Sequence, residues 1–372
     1  PATTAFTADK YTKLLLHMDG VDGATSFPDS SWTGAPRHTI TDTGDVKNVR
    51  GADLDTDYTI IDAFTSTGAD TWTCPTGVTS IELLTVAGGG GGGYVQGGGG
   101  GAGGIVHDTA YTVVPGVVYD LSVGAGGAGG TSAATAPSGT NSVFNVNAEG
   151  SGSTYTAIGG GGGSTNSTYP GADGGSGGGG GASVASGDTT QQTAGTPTSG
   201  TVTSYGSDGG GDSAGYSRDG GGGGASAAGG TGANPNGGTG GAGQLFSNFV
   251  GYGTDSSNVA STGSNGGYFG GGGGGGGTGY SASSNGGAGG VGGGGNGGHR
   301  LPVTTWPGVS AIANTGGGGG GPAYPGPDGG AGGSGIVLIA YDLAKPGSSS
   351  IEFDGTGDYL SVADGSDFAF GT

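Results

Sequence analysis

The chain has 372 residues, 105 of them glycine, with 8 Lys or Arg against 28 Asp or Glu and a formal net charge of −20. That surface repels phosphate backbones and offers no basic patch to anionic lipid, which argues against nucleic-acid binding and membrane-surface attachment. A single cysteine excludes an intrachain disulfide framework, and no stretch approaches the roughly 20 apolar residues of a membrane span.

The length allows two or three domains, but the large apolar residues sit in short stretches, so only small cores are expected. Pro1–Phe6 lacks the basic start and apolar stretch of a secretory leader. The expectation is release by lysis, as for virion proteins, or a processed piece of a longer chain. Tyr11–Leu16 predicts a strand, followed by turns at Asp19-Gly20 and Asp22-Gly23. His38–Thr41 predicts a second strand, and the acidic Asp53–Asp57 a linker.

From Asp62 the pattern changes. Thr71-Trp-Thr-Cys-Pro75 alternates as a strand, with Cys74 expected as a small buried hydrophobe. Ile81–Ala87 predicts a strand that runs into six glycines. Ile105–Val114, Pro115-Gly116 and Val117–Val123 predict a hairpin, after which the chain enters Gly-Ala-Gly-Gly-Ala-Gly-Gly. Ser142–Val146 and Tyr155–Ile158 predict short strands, the second entering Gly159–Gly163. Residues 164–330 hold no strand of normal length. Ile336–Tyr341 is apolar enough for the middle of a sheet, and Ile351–Phe353 and Tyr359–Val362 predict the last strands. No segment has helical periodicity over three turns.

Glycine runs beginning at Gly88, Gly97, Gly159, Gly177, Gly220, Gly270 and Gly316 are poor helices and poor strands. A disordered linker does not need to be launched repeatedly from strands. The ordered alternative is the polyproline-II-like helix of glycine, with three residues per turn and a rise of about 3.1 Å. Ordering costs about 1–2 kcal/mol per residue, and a hydrogen bond returns only about 0.5–1.5. Such a bundle has to be densely bonded and braced by a folded base. Collagen is excluded by the lack of a strict Gly-X-Y period along the chain.

His17, His38, His107 and His299 show no metal spacing with each other or with Cys74. Gly-x-Gly-x-x-Gly matches arise by chance at this composition, and no nucleophile elbow is present. The reading is a non-enzyme with no cofactor. Aromatic residues punctuate the glycine-rich sequence: Tyr94, Tyr169, Tyr205, Tyr216, Tyr252, Tyr268, Phe269, Tyr280, Trp306 and Tyr324. On loops at the tip of a rigid bundle they suit recognition of sugars or protein loops. The alternative is that they plug the bundle's edges or meet sister subunits. Leu245–Val250 is expected to seal a small core or an interface.

Phe64–Gly68, Trp72–Gly93 and the closing Gly332–Tyr341 resemble the glycine-rich domain of bacteriophage tail and tail-fibre proteins, over roughly residues 62–342. More loosely, the chain resembles distal adhesins of long tail fibres, which implies stacked polyglycine-II helices with receptor-reading loops. Tyr11–Gly20 and Ser350–Val362 resemble the opening strands of a laminin-G/concanavalin-A-like jelly roll, with the glycine-rich domain inserted between them. That second resemblance leaves room for calcium near Asp19 or Asp354, although no calcium-loop motif is complete.

The expected fold is all-β: a small antiparallel β-sandwich base, a polyglycine-II helix bundle and flanking partial jelly-roll strands. The expected division is 1–61 for N-terminal jelly-roll-like strands and linker, 62–342 for the glycine-rich domain, and 343–372 for an incomplete jelly-roll-like end. Within the domain the base takes 64–158 and 335–342, and the bundle and its loops 159–334. The expected function is a phage virion component, a tail fibre or appendage that displays loops for host attachment. Its implied partners are sister subunits (a trimer by resemblance), other virion proteins, and a host-surface glycan or outer-membrane protein. The second reading is a bacterial extracellular structural or filament protein without receptor specificity. A third, ice binding, is disfavoured by the lack of regularly spaced threonine or alanine.

Overall fold

The computed structural model describes residues 48–50, 58–165, 170–181, 201–211, 219–233, 235–277, 284–301, 304–326 and 328–343. The strands expected at 11–16, 38–41, 351–353 and 359–362 lie outside them, as do the acidic linker, the jelly-roll flanks and the candidate calcium residues. In chain order the strands are β1 (Asn48–Arg50), β2 (Tyr58–Phe64), β3 (Gly68–Thr73), β4 (Ser80–Val86), β5 (Ile105–Thr112), β6 (Val118–Val123), β7 (Ser142–Phe144), β8 (Tyr155–Ala157), β9 (Val202–Tyr205), β10 (Gln244–Leu245), β11 (Tyr268–Phe269), β12 (Arg300–Leu301), β13 (Thr304–Thr305) and β14 (Ile336–Leu343).

The fold is all-β, built from antiparallel sheets. A six-stranded sheet has the order β1-β2-β14-β4-β5-β9, and a four-stranded sheet the order β3-β6-β7-β8. Residues of both sheets meet in one core, where Leu83, Val337 and Ile339 pack with Tyr119, Leu121 and Phe144. Cys74 belongs to this core and is 1% exposed. Alternate residues of β4 and β14 face the other way. Leu84, Val86, Ile336 and Leu338 form a second core with Ala225, Phe246, Phe249 and Phe269. A strand covered on both faces reads as a continuous apolar run, and this is why Ile336–Tyr341 has no polar interruption and sits between β2 and β4. The Phe246 and Phe249 cluster closes that second core, as a lone apolar patch in polar sequence suggests.

Several buried polar groups in the base are paired, although Thr85 Oγ1 has no hydrogen-bond partner. The Trp72 indole N–H and the Tyr341 hydroxyl both donate to Asp62 Oδ2 at 2.9 Å. The Tyr155 hydroxyl donates to Asp108 Oδ2 at 2.7 Å. Burial pushes the Tyr111 phenol up to about 12, although the Asn145 amide donates to its hydroxyl.

The hairpin expected across Pro115-Gly116 does not form. β5 pairs with β4 and β9, whereas β6 pairs with β3 and β7. The chain crosses from one sheet to the other at the turn, where Val117 N–H donates to the Val114 carbonyl. Both strands alternate because each lays one face on the shared core, not because they lie side by side. The structure also adds β9 at the edge of the larger sheet, and β2 starts the domain at Tyr58.

The glycine segments form parallel and antiparallel rods with a period of three. In the rod 88–93, Gly88 and Gly91 donate to Thr140 and Pro137, Gly89 and Gly92 to Gly333 and Gly330, and Gly90 and Gly93 to Gly101 and Gly98. The carbonyls of Gly88 and Gly91 accept from Gly160 and Gly163, those of Gly89 and Gly92 from Gly127 and Gly130, and that of Gly90 from Gly319, all at 2.8–3.1 Å. Three donating directions and three accepting directions surround the rod with neighbours, which is the arrangement expected of polyglycine II. The rod 271–277 repeats it: every third residue steps along 292–298, then 241–238, then 100–97. Because segments 88–104 and 124–140 belong to this network, strands and rods alternate along the chain, and base and bundle do not divide at residue 159.

Inner rods have no room for side chains. A Cβ on Gly90 would lie 2.1 Å from the Gly161 carbonyl oxygen, and one on Gly100 2.2 Å from that of Gly90. Outer rods have one open side in three. Along 124–130, Gly124, Gly127 and Gly130 are buried, while Ala125 and Ala128 are exposed. The triplet recurs in Asn285-Gly-Gly-Ala288 and in Asp328-Gly-Gly-Ala331-Gly-Gly-Ser334. The chain therefore lacks a global triplet period but has local ones, confined to rods at the bundle surface. Of the runs named from sequence, those at Gly88, Gly159, Gly177 and Gly220 enter the rod network. Gly270 and Gly316 are corners with φ of +72° and +67°, where the chain turns from base into bundle. Gly97 closes a tight turn, and a Cβ there would lie 2.6 Å from the Gly93 carbonyl carbon.

Candidate functional site at the far end of the bundle

β2 and β14 pair along their length, ending at Tyr58 opposite Leu343. These strand ends lie at the end of the base remote from the rods. At the other end the rods turn back. Tyr94–Gln96 links the rods 88–93 and 98–104, with Val95 and Gln96 at φ of 33° and 53°. Residues 299–306 follow the rod 294–298, and 322–326 follow 316–321. These turns are neighbours: Gly277 N–H donates to the Gly298 carbonyl, Gly298 N–H to Gly321, and Gly276 N–H to Gly97.

Four residues lie there, linked mainly through their backbone. Arg300 exchanges both backbone hydrogen bonds with Ser284, at 2.9 and 3.1 Å, which ties it to a rod end. Its guanidinium lies 5.9 Å from the centroid of the Tyr324 ring, within the range of a cation–π contact. Tyr324 N–H donates to the Gly277 carbonyl at 3.3 Å, and Trp306 N–H to the His299 carbonyl at 3.0 Å. Trp306 is 53% exposed, unusual for so large an apolar side chain. The His299 imidazole accepts at Nδ1 from Gly286 N–H at 3.3 Å, so that Nε2 carries the hydrogen. This end therefore presents an indole face, a phenol ring, a guanidinium and an imidazole N–H.

The aromatics singled out from sequence separate into two groups. Tyr94, Trp306 and Tyr324 lie at the far end. Tyr205, Tyr252, Tyr268 and Phe269 do not: Tyr205 is in β9, its ring edge-on to Phe246 at 5.5 Å, and Tyr252 packs on the second core. Tyr268 and Phe269 form β11, with Phe269 fully buried. They pack at the base, beneath the bundle. Tyr169, Tyr216 and Tyr280 lie outside the described residues. His299 and Arg300 were not singled out as binding residues. The available signal was scarcity: between Arg50 and Lys345 the chain has Arg218 and Arg300 and no lysine.

A cleft of about 610 Å³ lies at the base, lined by Thr59, Thr79, Glu82, Thr109, Asn248 and Asp342 among others. Glu82 binds His107 Nε2 through Oε1 and the Asn248 amide through Oε2, each at 2.8 Å. Burial pushes its carboxyl up, but these hydrogen bonds and the neighbouring imidazole bring it below its ordinary value. With both oxygens engaged, Glu82 is a structural clasp between sheet and loop. Among the described residues no group of three or more His, Cys, Asp or Glu could hold a metal ion. Among the described residues no helix is long and apolar enough to cross a membrane.

The outward residues of the surface rods differ in kind, among them Ala125, Ala128, Thr239, Asn285 and Asp328. No curated protein matches the chain. The family model of the glycine-rich domain matches residues 65–342, from the end of β2 almost to the end of β14, and the chain belongs to that family.

Proposed function

We propose that this protein is a phage virion component, part of a tail fibre or related appendage, whose glycine bundle is a rigid stalk carrying attachment residues at its far end. One observation carries the reading. The paired ends of β2 and β14 lie on one side of the rods, and the opposite end of the bundle exposes Trp306 close in the chain to His299 and Arg300. A rod bundle without side chains has no rotamers to rearrange, so residues at its tip are held with little entropy left to lose on binding. The partners in this reading are sister subunits, other virion proteins, and a glycan or outer-membrane protein of the host surface.

The test is the protein content of purified particles, together with competition of particle adsorption by the isolated chain. Presence in the particle and inhibition of adsorption are the expected results. Absence from particles would overturn the reading. Assembly of the isolated chain into fibres that bind no cells would replace it with an extracellular filament protein.

A further inference from the structure

We infer that Asn285-Gly286 is a self-modification site, where the asparagine amide is converted to aspartate and isoaspartate with His299 as the general base. This stands apart from the attachment reading. The chain has four Asn-Gly-Gly sequences, at Asn236, Asn265, Asn285 and Asn296, and each asparagine is exposed. Three of them are held. Asn236, Asn265 and Asn296 each accept a backbone N–H at Oδ1, from Asn285, Thr262 and Gly289 at 3.1, 3.3 and 2.8 Å. The glycine N–H that follows each of them donates to a backbone carbonyl, that of Asn285, Val250 and Gly287 in turn. Asn285 differs on both counts. Its side-chain amide has no hydrogen-bond partner among the described residues, and Gly286 N–H donates to His299 Nδ1 at 3.3 Å.

An amide nitrogen is a poor nucleophile until its proton is taken, and a backbone carbonyl does not take it. An imidazole nitrogen within hydrogen-bond reach does. The Gly286 nitrogen attacks Asn285 Cγ while His299 Nδ1 accepts its proton. The N–Cγ bond forms, the Cγ–Nδ2 bond breaks, and ammonia leaves with the proton returned by the imidazolium. Water then opens the cyclic imide at either carbonyl, giving aspartate or isoaspartate. The attack needs Asn285 to leave the extended backbone of a rod. Asn285 directly follows the Ser284–Arg300 bridge, at a rod end, and ends open locally more readily than middles. Isoaspartate routes the main chain through Cβ and Cγ. The carbonyl that accepts from Gly237 N–H then belongs to a free carboxylate, and the register between Gly237 and Asn285 is lost. The far end of the bundle thus changes with age.

Incubation of the full chain at neutral pH tests this, with mass spectrometry of each Asn-Gly-Gly site and enzymatic labelling of isoaspartate. In the folded chain Asn285 should react at least about tenfold faster than the other three, short of the full range of general-base assistance because an unassisted route remains. In denaturant the four should react alike, since their local sequences are the same. His299→Gln should bring the rate at Asn285 down to that of the others. Loosening of the rod end raises that rate, so a fall separates the base from a packing role. Asn285→Gln should abolish the main isoaspartate signal. Equal rates at the four sites in the folded chain overturn the inference, as does a rate at Asn285 that His299→Gln leaves unchanged or raises. Dominance of Asn285 that persists in denaturant, or an isoaspartate signal that survives Asn285→Gln, does the same.

Discussion

The base and the bundle solve the same problem in opposite ways. A strand of the base has two faces, and its side chains fill the space between sheets, as Leu83 and Leu84 do on successive residues of β4. A rod of the bundle has three sides, and its backbone fills the space between rods. In the base, specificity comes from side-chain shape. In the bundle it comes from the register of hydrogen bonds such as Gly90 with Gly101 and Gly319. Removing atoms should therefore damage the first region, and adding atoms the second. Buried peptide groups in the rods need partners, and the backbone of neighbouring rods supplies most of them, with side chains such as Asn141 and Ser138 serving Gly159 and Gly162.

The largest expected effect comes from deleting a core ring. Phe144 is fully buried between Tyr111 and Tyr119, and Phe144→Ala should cost about 3–5 kcal/mol in denaturant unfolding. The matching test in the bundle adds one methyl group. Gly90→Ala sets a Cβ 2.1 Å from a carbonyl oxygen that is itself a hydrogen-bond acceptor. The expected cost is near 3 kcal/mol, the upper part of the overpacking range, even though Ala for Gly usually narrows the unfolded ensemble. If Gly90→Ala is neutral, the contrast between the two regions is lost.

Titration probes the base without touching the rods. The Glu82 carboxyl is lowered in the folded protein, so its contribution is complete above the unfolded value of about 4.3. That contribution disappears as pH falls through the lower folded value. Glu82→Gln should therefore flatten the acid limb of stability against pH, and an unchanged limb would count against the clasp. Tyr111 runs the other way. Its phenol is raised to about 12, so stability is intact below about 10 and falls as pH climbs through 12, less steeply in Tyr111→Phe. The smallest effect should follow Ala128→Ser on an outward rod position, within about 0.5 kcal/mol. A larger loss would mean that the outward position is covered.

Much of the base was legible because alternation and apolar runs are local. β4, β7, β8 and the central β14 stand where the pattern of residues places them. The crossing between β5 and β6 was not legible. A Pro-Gly turn flanked by alternating strands reads the same whether the strands pair or face each other across a core. The aromatics divide for a related reason. Tyr268 and Trp306 look alike in sequence, each beside glycine or polar residues, but one precedes a rising rod and the other comes after one.

The amino-acid sequence by itself showed glycine runs launched from strands, which favours a braced, ordered state over a disordered linker. It also set which rods are inner and which are outer, because only an open side tolerates a Cβ and the X-Gly-Gly triplets mark that side. Tertiary structure alone decided which rod lies beside which, and hence which turns share an end. Glycine runs are interchangeable by composition, so their pairing rests on backbone hydrogen bonds between residues as distant as Gly90 and Gly319. Those bonds place Arg300, Trp306 and Tyr324 together.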